Sequence, residues 1–219
     1  MQRRPTVRPA TVAAGGARRD LDRGDRELLR VIDAEFDRAA RAAAHWLACA
    51  PGCDACCHGP FPITPLDVRR LVAGLGRLER RDPRRAGAIR ARAQAAVGRM
   101  AAGYPGDPDS GALDDDSAAL DRFFDLHAAL ACPALDPRSG RCELYAWRPV
   151  SCRSYGPPAR YAGDDLPPCD LCFRGAPVEV VERCRVEPDP DGIEQALIAS
   201  LGVAPDDEWE TLIAFALVR

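Results

Sequence analysis

The first clear pattern along the chain is a helical one. Between Asp25 and Ala48 the apolar residues recur at steps of three and four, which places them on one face of an α-helix. The residues on that face are Leu28, Leu29, Ile32, Phe36, Ala39, Ala40, Ala43, Trp46 and Leu47. Pro51 and Gly52 interrupt the pattern, so the helix is expected to end where the first cysteines begin.

Two further helices carry start signals. Residues 64–67 read Thr-Pro-Leu-Asp, which supplies an N-cap, a proline at the first helical position and the acid of a capping box. A helix from residue 65 to about residue 75 is therefore predicted. The Asp-Pro pair at 82–83 opens another helix, which we expect to reach about residue 102 because alanine and arginine favour helix.

The rest of the chain alternates between loops and short helices. The Pro- and Gly-rich residues 104–116 form a loop, and Ser117 can cap a helix that runs to residue 130. Residues 132–184 are irregular apart from a short strand at 178–181, and two helices are expected near 193–201 and 206–218. The predicted fold class is mostly α: a single domain of several helices, residues 25–219, after a disordered tail, residues 1–24.

Composition and charge limit the classes of function to which the protein can belong. The chain has 219 residues, 47% of them hydrophobic, and a net charge of −3, so no basic field attracts nucleic acid. All 30 basic residues are arginine, which is typical of a GC-rich genome. No apolar run approaches the ~18 residues of a membrane span. The N-terminal stretch has no apolar segment typical of a secretory signal, so we expect a cytoplasmic protein without membrane contact.

Cysteine is the residue type that points to chemistry. The chain has ten cysteines, and in a reducing compartment clustered cysteines bind metal or do redox work rather than form disulfides. Thiolates in groups of four suit Zn²⁺ and iron–sulfur iron. The predicted metal ligands are Cys49, Cys53, Cys56, Cys57, Cys132, Cys142, Cys152, Cys169 and Cys172. We expect zinc or iron, including an iron–sulfur cluster, to organise the Cys-, Pro- and Gly-rich region.

The sequence around these cysteines resembles a known family. The first cluster followed by HGPFPITPLDVRRL, and then CPAL and GRCELYAWRPVSCRSY, is similar to the YkgJ-type cysteine-cluster (CxxCxxCC) family, whose members are described as zinc- or iron-chelating. The resemblance covers roughly residues 49–155. It implies metal binding by Cys49, Cys53, Cys56, Cys57, Cys132, Cys142 and Cys152. This chain departs from the family pattern with three residues, instead of two, between its first two cysteines.

Several alternatives stay open. Cys184, His45 and His58 are undecided as ligands, and the Cys49 to Cys56 spacing also occurs in radical SAM enzymes, although those need a run of βα units. The function is expected to be metal binding, with an iron–sulfur redox protein or a metal-stabilised adaptor as alternatives. A protein partner is compatible with either. A nucleic-acid patch could form from Tyr145, Trp147, Arg148, Arg153 and Tyr155, but packing of these residues around the metal is favoured by the net charge. Carboxylates form no evident acid–base pair, so catalytic residues are not assigned.

Overall fold

The fold was analysed in a computed structural model, which describes residues 13–161, 163–201 and 210–219. It is 55% helical, which confirms the mostly α fold class. The helices are α1 (Ala13–Ala43), α2 (Pro65–Arg81), α3 (Pro83–Met100), α4 (Ser117–Leu126), α5 (Val150–Ser154), α6 (Val178–Arg183), α7 (Ile193–Ser200) and α8 (Ile213–Val218). None of the helices in the described ranges combines the length and apolar character of a membrane span.

Short antiparallel strand pairs connect the helices. The strands are β1 (Pro62–Ile63), β2 (Gly106–Asp107), β3 (Ala112–Leu113), β4 (Leu135–Asp136), β5 (Arg141–Cys142), β6 (Ala159–Tyr161), β7 (Asp164–Leu166) and β8 (Thr211–Leu212). The three sequential pairs β2–β3, β4–β5 and β6–β7 are local hairpins, whereas β1 pairs with β8 from the far end of the chain. Register in β4–β5 sets Leu135 opposite Cys142.

The main core lies between α2, α3 and α8. Every residue from Ile213 to Leu217 in α8 is buried. Of these, Ile213, Ala216 and Leu217 pack with Leu71 and Ile89 in the core between the other two helices. The predicted capping box starts α2: the Asp67 N–H donates to the Thr64 hydroxyl at 3.3 Å. Because α8 follows β8, the β1–β8 pair holds this buried helix against the start of α2.

A buried ionic network joins α1, α2, α5 and α7. Arg70, with only 3% of its side chain exposed, contacts Asp25 at 2.6 Å and Asp67 at 2.5 Å, and Glu194 lies 3.9 Å away. Asp67 also accepts the Val150 N–H at 3.1 Å. The network therefore fixes α5, which carries Cys152, against the long helices.

Two local predictions were wrong. Helix α1 begins at Ala13, well before the predicted start at Asp25, because Leu21 packs against the Leu28 cluster and Asp22 pairs with Arg69. Residues 1–12 lie outside the described part, so a disordered tail stays a prediction for them. The strand predicted at 178–181 is instead helix α6, since packing of Val180 and Val181 against the end of α1 outweighs their β-propensity.

Other differences concern element ends. Helix α4 is capped by Asp116, whose carboxylate accepts the Ala119 N–H at 3.1 Å, rather than by Ser117. It ends at Leu126, short of the predicted residue 130, because the Leu130 carbonyl accepts the Gly59 N–H at 2.9 Å. The predicted helix 206–218 starts only at Ile213 in the described residues; 206–209 lie outside them.

Candidate metal centre

The first cysteine cluster is positioned by the end of α1. A 3-10 turn, Ala44–Trp46, follows the helix, and the chain becomes extended at Leu47. Cys53 donates its N–H to Ala50 at 2.9 Å, and a second 3-10 turn, Ala55–Cys57, follows immediately. Because of these two turns, Cys49 and Cys53 face one set of later cysteines, and Cys56 and Cys57 face another.

The first set is the loop-side thiol group, which we define as Cys49, Cys53, Cys169 and Cys172. The Cys49 and Cys172 sulfurs lie 4.0 Å apart although the two residues are 123 positions apart in the chain. A Zn–S bond of about 2.3 Å gives about 3.8 Å between two sulfurs of a tetrahedral site. Burial, followed by Cys172, raises the pKa of Cys49 to about 12, and Cys53 and Cys169 are also close enough to contribute.

The turn that carries Cys169 and Cys172 is firmly held. Cys169 donates its N–H to Gly156 at 3.1 Å, and Cys172 donates to Cys169 at 2.7 Å. Phe173 adopts a positive φ of 55° and donates its N–H to Trp46 at 2.7 Å, which joins the turn to the end of α1. Both thiols are buried, in a small cluster with Ala43 and Phe173.

Gly156 lies at the candidate site and was not predicted from the sequence. Its φ is +128°, and a Cβ atom there would lie 2.7 Å from the Cys49 sulfur. Only glycine therefore lets the backbone pass this closely to the thiol. The neighbouring Tyr155 is half-exposed, and burial together with Cys169, Cys56 and Cys172 raises its pKa. The position of Gly156 directly after the CRSY sequence was the available signal.

The second set is the core-side thiol group, which we define as Cys56, Cys57, Cys132, Cys142 and Cys152. The Cys132 N–H donates to the Cys57 carbonyl at 2.7 Å, which brings the two segments together. Cys142 lies on β5 and Cys152 on α5, and Cys132, Cys142 and Cys152 pack against the main core. The fold thus gathers five thiols from four segments.

Burial dominates the titration of the core-side thiols. It raises the pKa of Cys132 to about 12 and also raises the pKa of Cys142 and Cys152. A hydrogen bond from the Ala134 N–H opposes the shift at Cys132, and one from the Leu144 N–H opposes it at Cys142. N–H donors of this kind stabilise thiolate, but a buried thiolate also needs positive charge nearby.

Cys56 and Cys57 titrate as a pair. The hydrogen bond between their side chains lowers the pKa of Cys56 to about 6 and raises that of Cys57. Arg148 lowers the pKa of Cys56 and of Cys142 further. Within the pair, Cys56 is thus the thiol that ionises more readily.

Arg148 is the arginine best placed to offset thiolate charge. Its guanidinium stacks 3.6 Å from the centre of the Tyr145 ring and donates to the Cys152 carbonyl at 3.4 Å. Arg153 is buried and pairs instead with Asp33 at 2.9 Å. Trp147, from the alternative nucleic-acid patch, packs inward against Gly74.

The two undecided histidines have other contacts, whereas Cys184 packs in the same buried cluster as Cys169 and Cys172. His45 stacks on Trp46 at 4.5 Å, and the His58 Nδ1 contacts the Asp54 carbonyl at 3.1 Å. Cys184 is fully buried, and the groups that shift its pKa, after burial itself, are Arg183 and Arg38. Glu143 forms ion pairs with Arg85 and Arg92, and Asp136 accepts a hydrogen bond from Ser139. The partners of both acids are therefore residues other than the cysteines.

The donor set fits zinc or iron in its chemistry, although the sulfurs do not surround a common centre. Within residues 13–161, 163–201 and 210–219, no three His, Cys, Asp or Glu side chains form a group compact enough to hold a metal ion. All ten cysteines are free thiols. The argument that these thiols could bind zinc or iron depends on the chemistry of thiolate donors and on the 4.0 Å distance between the Cys49 and Cys172 sulfurs.

Comparison with known proteins identifies a family that the chain matches. The family described as "Putative zinc- or iron-chelating domain", CxxCxxCC, matches residues 48–170. That range includes eight of the nine predicted ligands and leaves out Cys172. No curated protein and no solved structure matches the chain. Because the matched range covers more than half of the sequence, the chain belongs to the CxxCxxCC family of zinc- or iron-chelating domains.

Proposed function

We propose that this protein binds two metal ions through thiolates, one at the loop-side thiol group and one at the core-side thiol group. Membership of a zinc- or iron-chelating family supports metal binding in general. The observation that carries the proposal at the loop-side thiol group is the 4.0 Å contact between the Cys49 and Cys172 sulfurs. Residues so distant in the chain gain such a contact only if the fold brings them there.

The short sulfur–sulfur distance favours two ligands on a single metal atom. In a [4Fe–4S] cluster each cysteine binds a different iron, so neighbouring cysteine sulfurs are further apart. The loop-side thiol group supplies four thiolates, the number that a tetrahedral Zn²⁺ or Fe²⁺ ion takes. A metal ion bound there would supply the positive charge that the buried thiolates require.

The core-side thiol group has one sulfur more than a tetrahedral ion needs. Cys132, Cys142 and Cys152 come from separate segments packed on the main core, and the Cys56–Cys57 pair faces them. We propose that the three core residues and one member of the pair bind the second ion. Arg148 and the N–H groups of Ala134 and Leu144 would then offset the charge of the thiolates.

Elemental analysis tests the proposal directly. The protein is purified without oxygen from its native host, because overexpression can load the wrong metal. We expect two equivalents of zinc or iron, one lost in Cys53→Ser and the other in Cys142→Ser, each with a lower melting temperature. Cys184→Ala is the matched control, because it removes a buried thiol that packs in the same cluster as Cys169 and Cys172 but is not an assigned ligand, and it should keep both equivalents.

Three different results would contradict the proposal, each in its own way. Protein with neither zinc nor iron above the buffer level would exclude metal binding as the function. Full metal content in both serine variants would show that the assigned sulfurs are not ligands. Brown protein that bleaches on reduction and contains acid-labile sulfide would replace the single ions with an iron–sulfur cluster.

A further inference from the structure

The contact between the Cys49 and Cys172 sulfurs is held in place on both sides. The segments that carry the two residues are joined close to the contact, because the Phe173 N–H donates to the Trp46 carbonyl at 2.7 Å. The Cys49 sulfur also lies against the backbone of Gly156, where a Cβ atom would be 2.7 Å from it. Cys172, with 4% exposure, lies in the anchored turn. The fold therefore keeps the two sulfurs side by side although the residues are 123 positions apart.

Two thiols held in this way are suited to form a disulfide. The sulfurs are 4.0 Å apart and a disulfide bond is about 2.05 Å long, so they must approach each other by about 2 Å. Rotation of both side chains about χ1 moves the sulfurs by distances of this order. All ten cysteines are free thiols, so both residues are available for oxidation. Because the two sulfurs are already neighbours, joining them costs little orientational freedom.

Other neighbouring thiols are less suited to this reaction. Cys56 and Cys57 are joined by a trans peptide, which sets their Cα atoms about 3.8 Å apart, below the usual range of about 4.4–6.8 Å for a disulfide. Cys169 also forms a side-chain hydrogen bond with Cys172, but both of these residues are buried. Cys49 is exposed, so an oxidant in solution has access to the Cys49–Cys172 pair through this residue.

From this geometry we infer that Cys49 and Cys172 are a reversible oxidation site for low-molecular-weight disulfides such as oxidised glutathione. The Cys49 sulfur attacks one sulfur of oxidised glutathione, and the released glutathione thiolate takes up the Cys49 proton. The Cys172 sulfur then attacks the Cys49 sulfur, the disulfide forms, and the second glutathione leaves with the Cys172 proton. Two protein thiols are oxidised and one molecule of oxidised glutathione is reduced to two thiols. The inference concerns the free thiols and does not depend on the proposed metal binding.

Equilibration with glutathione redox buffers tests the inference on the full chain, purified without oxygen. One arm uses the chain as purified, and the other uses the chain after treatment with a metal chelator. The buffers are held at about pH 8.5, because burial raises the pKa of Cys49 to about 12 and makes exchange slow at lower pH. Free thiols are trapped by alkylation, and mass spectrometry identifies the linked peptides.

We expect Cys49–Cys172 to be the main disulfide in at least one arm. Its equilibrium constant with glutathione should exceed that of any other pair about tenfold or more, because its sulfurs are held in contact. Cys169–Cys172 or another pair as the main disulfide in both arms, or no disulfide in either, would overturn the inference.

Two serine variants separate this contact from general thiol reactivity in the chelator arm. Cys49→Ser should remove the most stable disulfide, whereas Cys53→Ser, the matched change at another exposed cysteine, should keep it. Equal loss in both variants would contradict the assigned pair. Metal content is measured separately in the untreated chain. A chain without metal that still forms the disulfide would end the proposed function alone, and a metal-bearing chain that forms it in neither arm would end this inference alone.

Discussion

The packing of Trp147 against α2 allows one substitution to be predicted in sign and size. A Cβ atom at Gly74 would lie 2.5 Å from Cγ, 2.6 Å from Cδ2 and 2.8 Å from Cβ of Trp147. These atoms are at the base of the side chain, so a rotation of the ring about χ2 does not remove the overlap. Relief requires movement of the 3-10 turn Tyr145–Trp147, which lies between Cys142 and Cys152.

The magnitude follows from two opposing effects. Replacing a helical glycine with alanine stabilises the helix by about 1 kcal/mol. Overpacking at a tight contact costs about 1–3 kcal/mol, so Gly74→Ala should change the free energy of unfolding by about 0 to −2 kcal/mol. Gly76 lies in the same helix, and the nearest atom to its Cβ position is Arg80 Nη1 at 3.9 Å. Gly76→Ala should therefore stabilise by about 1 kcal/mol.

Urea and thermal unfolding of the two variants, with metal content held equal, measure the difference. The gap should be about 1–3 kcal/mol, or about 2–12 °C in melting temperature for a chain of this length. In a Trp147→Ala background the gap should shrink, because the two nearest atoms, Cγ and Cδ2, are gone and only the Cβ contact at 2.8 Å is left. Equal stability of Gly74→Ala and Gly76→Ala would refute the packing of Trp147 on α2.

Two further predictions concern the site and the ionic network. Gly156→Ala should lower loop-side metal content because its Cβ meets the Cys49 sulfur, whereas Gly163→Ala, also at positive φ but in open space, should keep the metal; equal metal loss in both would point to backbone strain alone. Burial, followed by Asp67, holds the pKa of Glu194 above its ordinary value, so the folded chain binds this proton more tightly than the unfolded chain. Its contribution to stability is then full below the unfolded pKa, about 4.3, and is lost as pH rises through the folded pKa. Urea titrations from about pH 4 to pH 8 should show the wild type losing stability relative to Glu194→Gln as pH rises, and parallel curves would contradict the shift.

Local signals in the sequence predicted much of the fold. The Thr-Pro-Leu-Asp sequence at 64–67 determines a helix start through contacts within four residues, and the structure has the capping box there. The valines of α6 were assigned to a strand because β-branched residues favour strands locally. The packing of Val180 and Val181 on the end of α1 is a tertiary contact, which no local pattern contains.

The candidate site, like the fold, could be predicted from the sequence only in part. Cysteine spacing predicted nine candidate ligands, and the thiolate chemistry follows from the residue type alone. Spacing did not predict that Cys53 and Cys56, only three positions apart, would face different partners. That division depends on the two turns after α1 and on the anchoring of Phe173 to Trp46. The close approach of Gly156 to Cys49 is likewise a product of the assembled fold.

The burial of α8 also has a consequence for synthesis on the ribosome. Helices α2 and α3 emerge long before the residues that pack between them, since Ile213, Ala216 and Leu217 follow more than a hundred positions later. Until then the apolar faces of both helices lack their central partner, and exposed faces of that kind favour aggregation and chaperone binding. A nascent chain of this protein should therefore depend on protection for most of its translation.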